Sequence, residues 1–214
     1  MGKIMQRGMV RKRSLEIALS MVEPHPRPKP HLEQYTIPPE VAAEILFIAT
    51  YVFKDIEGKR VIDLGCGTGR LSIGAVLLGA KEVVGIDIDE VAIKIAVENA
   101  KRLGVEDRIS WVIGDIEALH GSFDTVLQNP PFGVQRRKAD RKFLAKAIKL
   151  GRCVYSLHKA GNEEFIRRFV EKQGGKVTVI IPHEIWVPYT FPFHKKRKHL
   201  VKVELYRIEG KHNV

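Results

Sequence analysis

Apolar positions along the chain change period several times, and each change marks an element. From Pro39 to Phe53 apolar residues recur at helical spacing, at Val41, Ala42, Ile45, Leu46, Ala49, Val52 and Phe53. Arg60–Leu64 is a short apolar strand that runs into glycines, and Leu71–Leu78 is the helix after them. The alternation continues with strands at Glu82–Ile86, Ile109–Ile113, Phe123–Leu127, Cys153–Ser156 and Val177–Ile181. Helices are expected at Asp89–Leu103, Lys142–Leu150 and Asn162–Lys172. The last strand, Leu200–Ile208, alternates Leu200, Val201, Val203 and Leu205 with charged residues. Strands that alternate with helices imply a largely parallel sheet covered on both faces. The expected fold is therefore α/β, a doubly wound seven-stranded Rossmann-like sheet with one antiparallel strand at the C-terminal end. Ahead of it, Ser14 is expected to cap a short helix that runs to about Val22. Pro24, Pro26, Pro28 and Pro30 then favour an extended strap. Residues 1–30 are read as a basic, proline-rich extension and residues 31–214 as the main domain.

Composition narrows the setting. A chain of 214 residues with 44% hydrophobic and 29% charged residues suits one globular α/β domain. Its two cysteines, Cys66 and Cys153, form no CxxC pair, so neither a zinc site nor a disulfide framework is expected. The expected compartment is the cytoplasm. No apolar run approaches the roughly 20 residues of a membrane span, and no membrane partner is expected. Charge changes the picture more. Residues 1–30 carry 7 basic and 2 acidic side chains, residues 31–132 carry 9 and 16, and residues 133–214 carry 20 and 7. Two basic flanks, at +5 and +13, thus enclose a centre at −7. Such flanks attract phosphate backbones, which makes RNA the expected partner.

The glycine turn carries the first chemistry. Val61-Ile62-Asp63-Leu64-Gly65-Cys66-Gly67-Thr68-Gly69 is a strand, a glycine loop and a helix start. Glycines let a ligand approach the backbone, and free amides at the helix start face it. The spacing is G-x-G-x-G, where a dinucleotide enzyme usually shows G-x-G-x-x-G. Asp63 before the loop would repel a pyrophosphate and attract a cation. S-adenosyl-L-methionine, with its amino group and sulfonium, is the ligand that fits. Asp87 ends the next strand, 18 residues after Gly69, where an acid accepts from ribose hydroxyls. Asp115 ends the third strand and faces the adenine amino group, while Ile88 and Ile116 sandwich the ring. Cys66 is read as a small residue that fills the loop.

The fourth strand ends in Gln128-Asn129-Pro130-Pro131-Phe132. A nucleobase amine is a weak nucleophile because its lone pair is conjugated with the ring. The Asn129 side-chain oxygen and the Pro130 carbonyl can accept its two hydrogens and favour the pyramidal, electron-rich nitrogen. Pro130 and Pro131 stiffen the loop, and Phe132 offers a face for stacking. No strong general base is needed, because the proton becomes acidic after transfer. An amide of glutamine meets the same chemical requirements as a nucleobase amine. His158 and His183 are read as hydrogen-bonded structural histidines, and Trp111 and Trp186 as packing residues.

Several segments together resemble one family. They are Leu32-Glu33-Gln34-Tyr35, Asp63-Leu64-Gly65-Cys66-Gly67, Leu71-Ser72-Ile73-Gly74, Gly85-Ile86-Asp87-Ile88-Asp89, Asn129-Pro130-Pro131-Phe132-Gly133, Val154-Tyr155-Ser156-Leu157-His158-Lys159 and Phe193-His194-Lys195-Lys196. The chain resembles the methyltransferase-like family whose eukaryotic members methylate the 6-amino group of one adenosine in small-subunit ribosomal RNA. The resemblance implies that Gln34, Tyr35, Leu71 and Asn129 belong to the cofactor site, with Gly65 and Gly67 of the loop. It also implies that Phe193, His194, Lys195, Lys196, Arg197 and Lys198 meet RNA beside the target pocket. The RNA would be small-subunit ribosomal RNA or a pre-ribosome, and a small zinc-binding activator protein would be a further partner. After Tyr35 the family shows Pro-Thr, where this chain has Thr36-Ile37. Three other readings share the cofactor site: a protein glutamine N-methyltransferase, an RNA guanine N2-methyltransferase, and a non-catalytic RNA or ribosome-assembly module that binds S-adenosylmethionine.

Overall fold

A computed structural model describes residues 10–132, 139–188 and 198–210. Seven strands form one sheet in the order β3-β2-β1-β4-β5-β7-β6. They are β1 (Arg60–Leu64), β2 (Glu82–Asp87), β3 (Ile109–Ile113), β4 (Phe123–Gln128), β5 (Gly151–Lys159), β6 (Lys176–Pro188) and β7 (Lys198–Glu209). β1 to β5 pair in parallel, and β7 runs antiparallel to both β5 and β6. This is the doubly wound, mostly parallel sheet with one antiparallel C-terminal strand that the periodicity predicts.

Two-residue alternation sends side chains to opposite faces. Val61 and Leu127 join a core under α1 (Lys12–Ser20), α2 (Pro39–Phe47) and α3 (Arg70–Leu77), and Ala100 of α4 (Glu90–Arg102) reaches the same core. Ile62, Leu64 and Val126 join a second core under α5 (Ala139–Leu150) and α6 (Glu163–Lys172). The chain builds β1, β2 and β3 outward in one direction, then returns to place β4 on the other side of β1. Leu64 and Gln128 therefore sit side by side at the carboxyl ends of β1 and β4. A crevice at such a switch in strand order is where open α/β sheets bind ligands.

The N-terminal helix packs into the body of the protein. Leu15, Leu19 and Val22 are buried against α2 and α3. Each such burial is worth roughly 1.5–3 kcal/mol before entropy is counted. Contrary to the sequence expectation, Ser14 does not cap this helix. Arg11 is the N-cap, and its carbonyl accepts from the Ser14 and Leu15 amides at 2.9 and 3.1 Å. The helix expected over Pro39–Phe53 also differs. It is α-helical to Phe47 and then widens into a π turn at Ile48–Val52. The Thr50 hydroxyl donates to the Leu46 carbonyl at 2.7 Å within that turn, a back-bond that competes with regular helix pairing. The proline strap stays non-helical until Pro30–Leu32, a single 3-10 turn after which Glu33 adopts a left-handed conformation with φ 50°.

Candidate active site

β1 delivers Asp63 to the α3 side of the sheet, 1% exposed. The Ser72 amide and hydroxyl, one turn into α3, donate to its Oδ2 at 3.0 and 2.6 Å. The glycine loop can turn this tightly because Gly65, Gly67 and Gly69 all have positive φ. At Gly69 a Cβ would also stand 2.6 Å from the Trp111 ring, so both backbone and space require glycine there. Asp87 ends β2, where its Oδ2 accepts from the Gly67 amide and its Oδ1 from the Asp89 amide, both at 2.9 Å. The glycine loop and the end of β2 are thereby fixed to each other.

Together these elements enclose a cleft with about 1260 Å³ of empty space, part of it open to solvent. All twelve residues expected at the cofactor site line it. Gln34 and Tyr35 come from the strap, Asp63, Gly65, Cys66, Gly67 and Leu71 from the glycine loop and α3, and Asp87 and Ile88 from the end of β2. Asp115, Ile116 and Asn129 complete the set from beyond β3 and β4. Asp115 is half-exposed and shares its carboxylate with the Lys142 ammonium at 3.0 and 3.1 Å and the Glu117 amide at 3.0 Å. Sequence reasoning missed Lys142 and Phe143, both on α5 and both at the cleft wall. It also missed His25 and Arg70. Arg70 is buried, and its guanidinium donates to the Val22 carbonyl at 2.9 Å and to the Ile37 carbonyl. No local pattern marks these residues, because their partners stand tens of positions away in the chain.

A second cavity, with about 700 Å³ of empty space, adjoins the first. Asn129 and Phe132 line it with Ile185, Val201 and Val203 from the β6–β7 hairpin. Asn129, His25 and Gln34 through Ile37 line both cavities. Pro131 lines the first, and Pro130 is buried and lines neither. The Asn129 side chain donates from Nδ2 to the Tyr35 carbonyl at 3.3 Å. Its Oδ1 is buried and has no hydrogen-bond partner among the described residues. An orphan acceptor of this kind costs stability unless a ligand satisfies it.

The electrostatics favour a cationic guest. Burial pushes the Asp63 carboxyl up to about 7, with the Ser72 bonds opposing the rise and the nearby Asp87 adding to it. Asp87 is raised as well, mainly by burial. Two carboxylates held out of water gain most from a bound cation, and the apolar Ile88 and Ile116 suit a flat ring. The donor set therefore fits S-adenosylmethionine. A pH dependence follows. The folded value of Asp63 is above its ordinary 3.8, so the ligand-free fold loses stability as pH rises from about 4 to 7. A cation in the cleft reverses that preference. Cofactor binding at about pH 6 should release a fraction of a proton, and affinity should rise with pH until about 8. Titration calorimetry in two buffers of different ionisation enthalpy measures this, and equal heats in both would contradict it.

Elsewhere, His158 is buried, bonded to Ser156 Oγ at 2.7 Å, and pushed by burial down to about 4, as suits a neutral structural histidine. His183 departs from the expectation: its Nε2 is buried without a partner among the described residues. Burial lowers its affinity for a proton, so the ring can remain neutral there. Trp111 packs over Gly69 and Gly85. Phe193, His194, Lys195, Lys196 and Arg197 lie outside the described residues, as do the side chains of Lys198 and Trp186. Among the described residues no group of three or more His, Cys, Asp or Glu is arranged to hold a metal, and no helix is long and apolar enough to cross a membrane.

Comparison with known proteins agrees with this geometry. The sequence model of the ribosomal protein L11 methyltransferase family matches residues 46–130, which span the glycine loop, Asp87, Asp115 and Asn129. Other relatives match nearly the whole chain. The rRNA N(6)-adenosine-methyltransferase Mettl5 of Drosophila melanogaster is 37% identical over 92% of this chain and 95% of its own length. An uncharacterized protein of Methanocaldococcus jannaschii is 42% identical over 94% and 95% of the two chains. Among solved structures, one from Pyrococcus horikoshii, described as a candidate RNA methyltransferase, is 42% identical with a TM-score of 0.87 over 95% of this chain and 99% of that one. The L11 match ends at residue 130, whereas these likenesses cover more than nine-tenths of the chain. The chain belongs to the rRNA N(6)-adenosine-methyltransferase family of S-adenosylmethionine-dependent methyltransferases.

Proposed function

We propose that the protein transfers a methyl group to the exocyclic 6-amino group of an adenosine in RNA, with small-subunit ribosomal RNA as the substrate. The observation that carries this is Asn129 Oδ1, a buried acceptor without a partner among the described residues, where the two cavities meet. S-adenosylmethionine supplies a methyl carbon activated by its sulfonium. The chain's own residues present the amine. Asn129 Oδ1 and the Pro130 carbonyl accept the two N–H bonds and hold the lone pair toward the first cavity. Phe132 and the apolar hairpin residues of the second cavity bound the base. An adenosine reaches that cavity from a single-stranded or distorted region by leaving its stack.

Charge supports RNA over protein as the substrate. The segment 133–214 carries 20 basic against 7 acidic side chains. We assign RNA contact to Phe193, His194, Lys195, Lys196, Arg197 and Lys198, and we place the enzyme in the cytoplasm. The rival is a glutamine side chain in a protein such as a translation release factor, which a partial likeness to a candidate protein N5-glutamine methyltransferase of Methanocaldococcus jannaschii favours, 44% identical over 36% of this chain. Incubating the full-length protein with labelled S-adenosylmethionine and either RNA, DNA of matching sequence or a ribosomal protein fraction separates these readings. Label confined to RNA is the expected result. Label in the protein fraction alone would replace this reading with the glutamine one. Transfer by the isolated chain would also show that the zinc-binding activator implied by the resemblance is dispensable.

A further inference from the structure

The strap between α1 and α2 is fastened at four places. Arg102 Nη1 reaches the Met21 carbonyl at 3.3 Å, and Asn99 exchanges bonds with the Glu23 backbone at 3.0 and 3.1 Å. Arg70 clamps the Val22 and Ile37 carbonyls. The fourth fastening is Asp89, which is 2% exposed. Its Oδ2 accepts from Gln34 Nε2 at 2.8 Å and stands 3.3 Å from His25 Nε2. Its Oδ1 accepts from Lys29 Nζ and from the Val91 amide, each at 3.1 Å. Three strap side chains thus converge on one carboxylate. Capping α4 explains only the Val91 bond, a role that serine or threonine fills as well.

The consequence lies one residue further along the strap. Gln34 is held at both ends, since its Oε1 also accepts from the Lys29 amide at 2.7 Å. The Tyr35 amide donates to the Glu33 carbonyl at 2.8 Å in a tight turn built on the left-handed Glu33. Gln34 anchors the middle of that turn, which aims the Tyr35 carbonyl at Asn129 Nδ2. An asparagine amide has one donating and one accepting end. The carbonyl takes the donating end, so Oδ1 is what faces the incoming amine. Turned over, the amide would offer N–H to N–H.

We propose that Asp89 is a positioning residue for methyl transfer: through Gln34 and the Tyr35 carbonyl it sets which end of the Asn129 amide faces the target. This rests on the N-methyltransferase reading above. It also joins the two halves of the site. The Asp89 amide donates to Asp87 Oδ1, so a single turn after β2 carries both the cofactor-binding acid and the strap's anchor.

The test uses Asp89→Ser, which keeps a cap for α4 and removes the anchor, with Gln34→Leu as a second variant that leaves α4 intact. Each is assayed in single turnover at saturating S-adenosylmethionine and small-subunit ribosomal RNA, with cofactor affinity measured separately by calorimetry. The expected result is a fall in the saturated rate of about 10- to 100-fold, the scale of a misplaced catalytic group. The Asn129 side-chain amide protons should also exchange faster with solvent by NMR in both variants. A saturated rate and amide exchange like the parent's, with only cofactor affinity weakened, would make the strap a cofactor cover and overturn the proposal. If Asp89→Ser lowers stability through α4, Gln34→Leu decides. If the parent itself transfers no methyl to RNA, the functional reading fails first, and amide exchange still tests the positioning.

Discussion

Asn129→Ala should lower the saturated rate of methyl transfer by about 1000-fold or more while S-adenosylmethionine still binds within a few-fold of the parent affinity. The size of the effect comes from what is lost. Oδ1 is a buried acceptor without a partner among the described residues, on the wall that the two cavities share, so a target amine would supply its counterpart. An interaction made mainly with the reacting group moves the rate rather than cofactor affinity. The substitution removes one donated bond to Tyr35 and leaves Asp63, Asp87 and the glycine loop untouched. Calorimetry with S-adenosylmethionine and a single-turnover assay on small-subunit ribosomal RNA give the two numbers. Loss of cofactor binding with an unaltered saturated rate would move Asn129 from the transfer step to the cofactor pocket.

Asp87→Ala should act the other way and weaken cofactor binding by about 100-fold or more. Hydrogen bonds to a charged group contribute about 1.5–3 kcal/mol each, and a ribose diol offers two donors. The alanine also frees the Gly67 and Asp89 amides that the carboxylate now holds, so the glycine loop is left tied to β2 through the Gly65 and Cys66 amides on the Ile86 carbonyl. At saturating cofactor most of the transfer rate should return, because Asp87 does not line the target cavity. An undiminished affinity would place the ribose elsewhere in the cleft.

Much of this site is legible in the sequence because its chemistry is local. The glycine loop, Asp63, Asp87 and the Asn-Pro-Pro-Phe run each combine a strand end with residues whose spacing carries a physical requirement. The mostly parallel sheet follows from alternation with helices, and each of the seven strands overlaps the apolar run that marks it, although β5 (Gly151–Lys159) and β6 (Lys176–Pro188) run well past theirs. What the sequence hides is contact between distant segments. Asn99 meets Glu23 across 76 positions, and Arg70 meets Val22 across 48, with no periodicity to announce either. Lys142 reaches Asp115 only because α5 returns beside the end of β3. The π turn after Phe47 and the early start of α1 at Lys12 are set by tertiary packing over local propensity. The strap's proline pattern is plain, but its role as the wall shared by two cavities is visible only in three dimensions.

The most direct test is the identity of the product nucleoside. Small-subunit ribosomal RNA from cells lacking this protein would be incubated with the purified full-length protein and S-adenosylmethionine, digested, and analysed by mass spectrometry. N6-methyladenosine that appears with the parent protein and is absent with Asn129→Ala is the result predicted here. A methylated guanosine, or N6-methyladenosine formed equally well by Asn129→Ala, would contradict it.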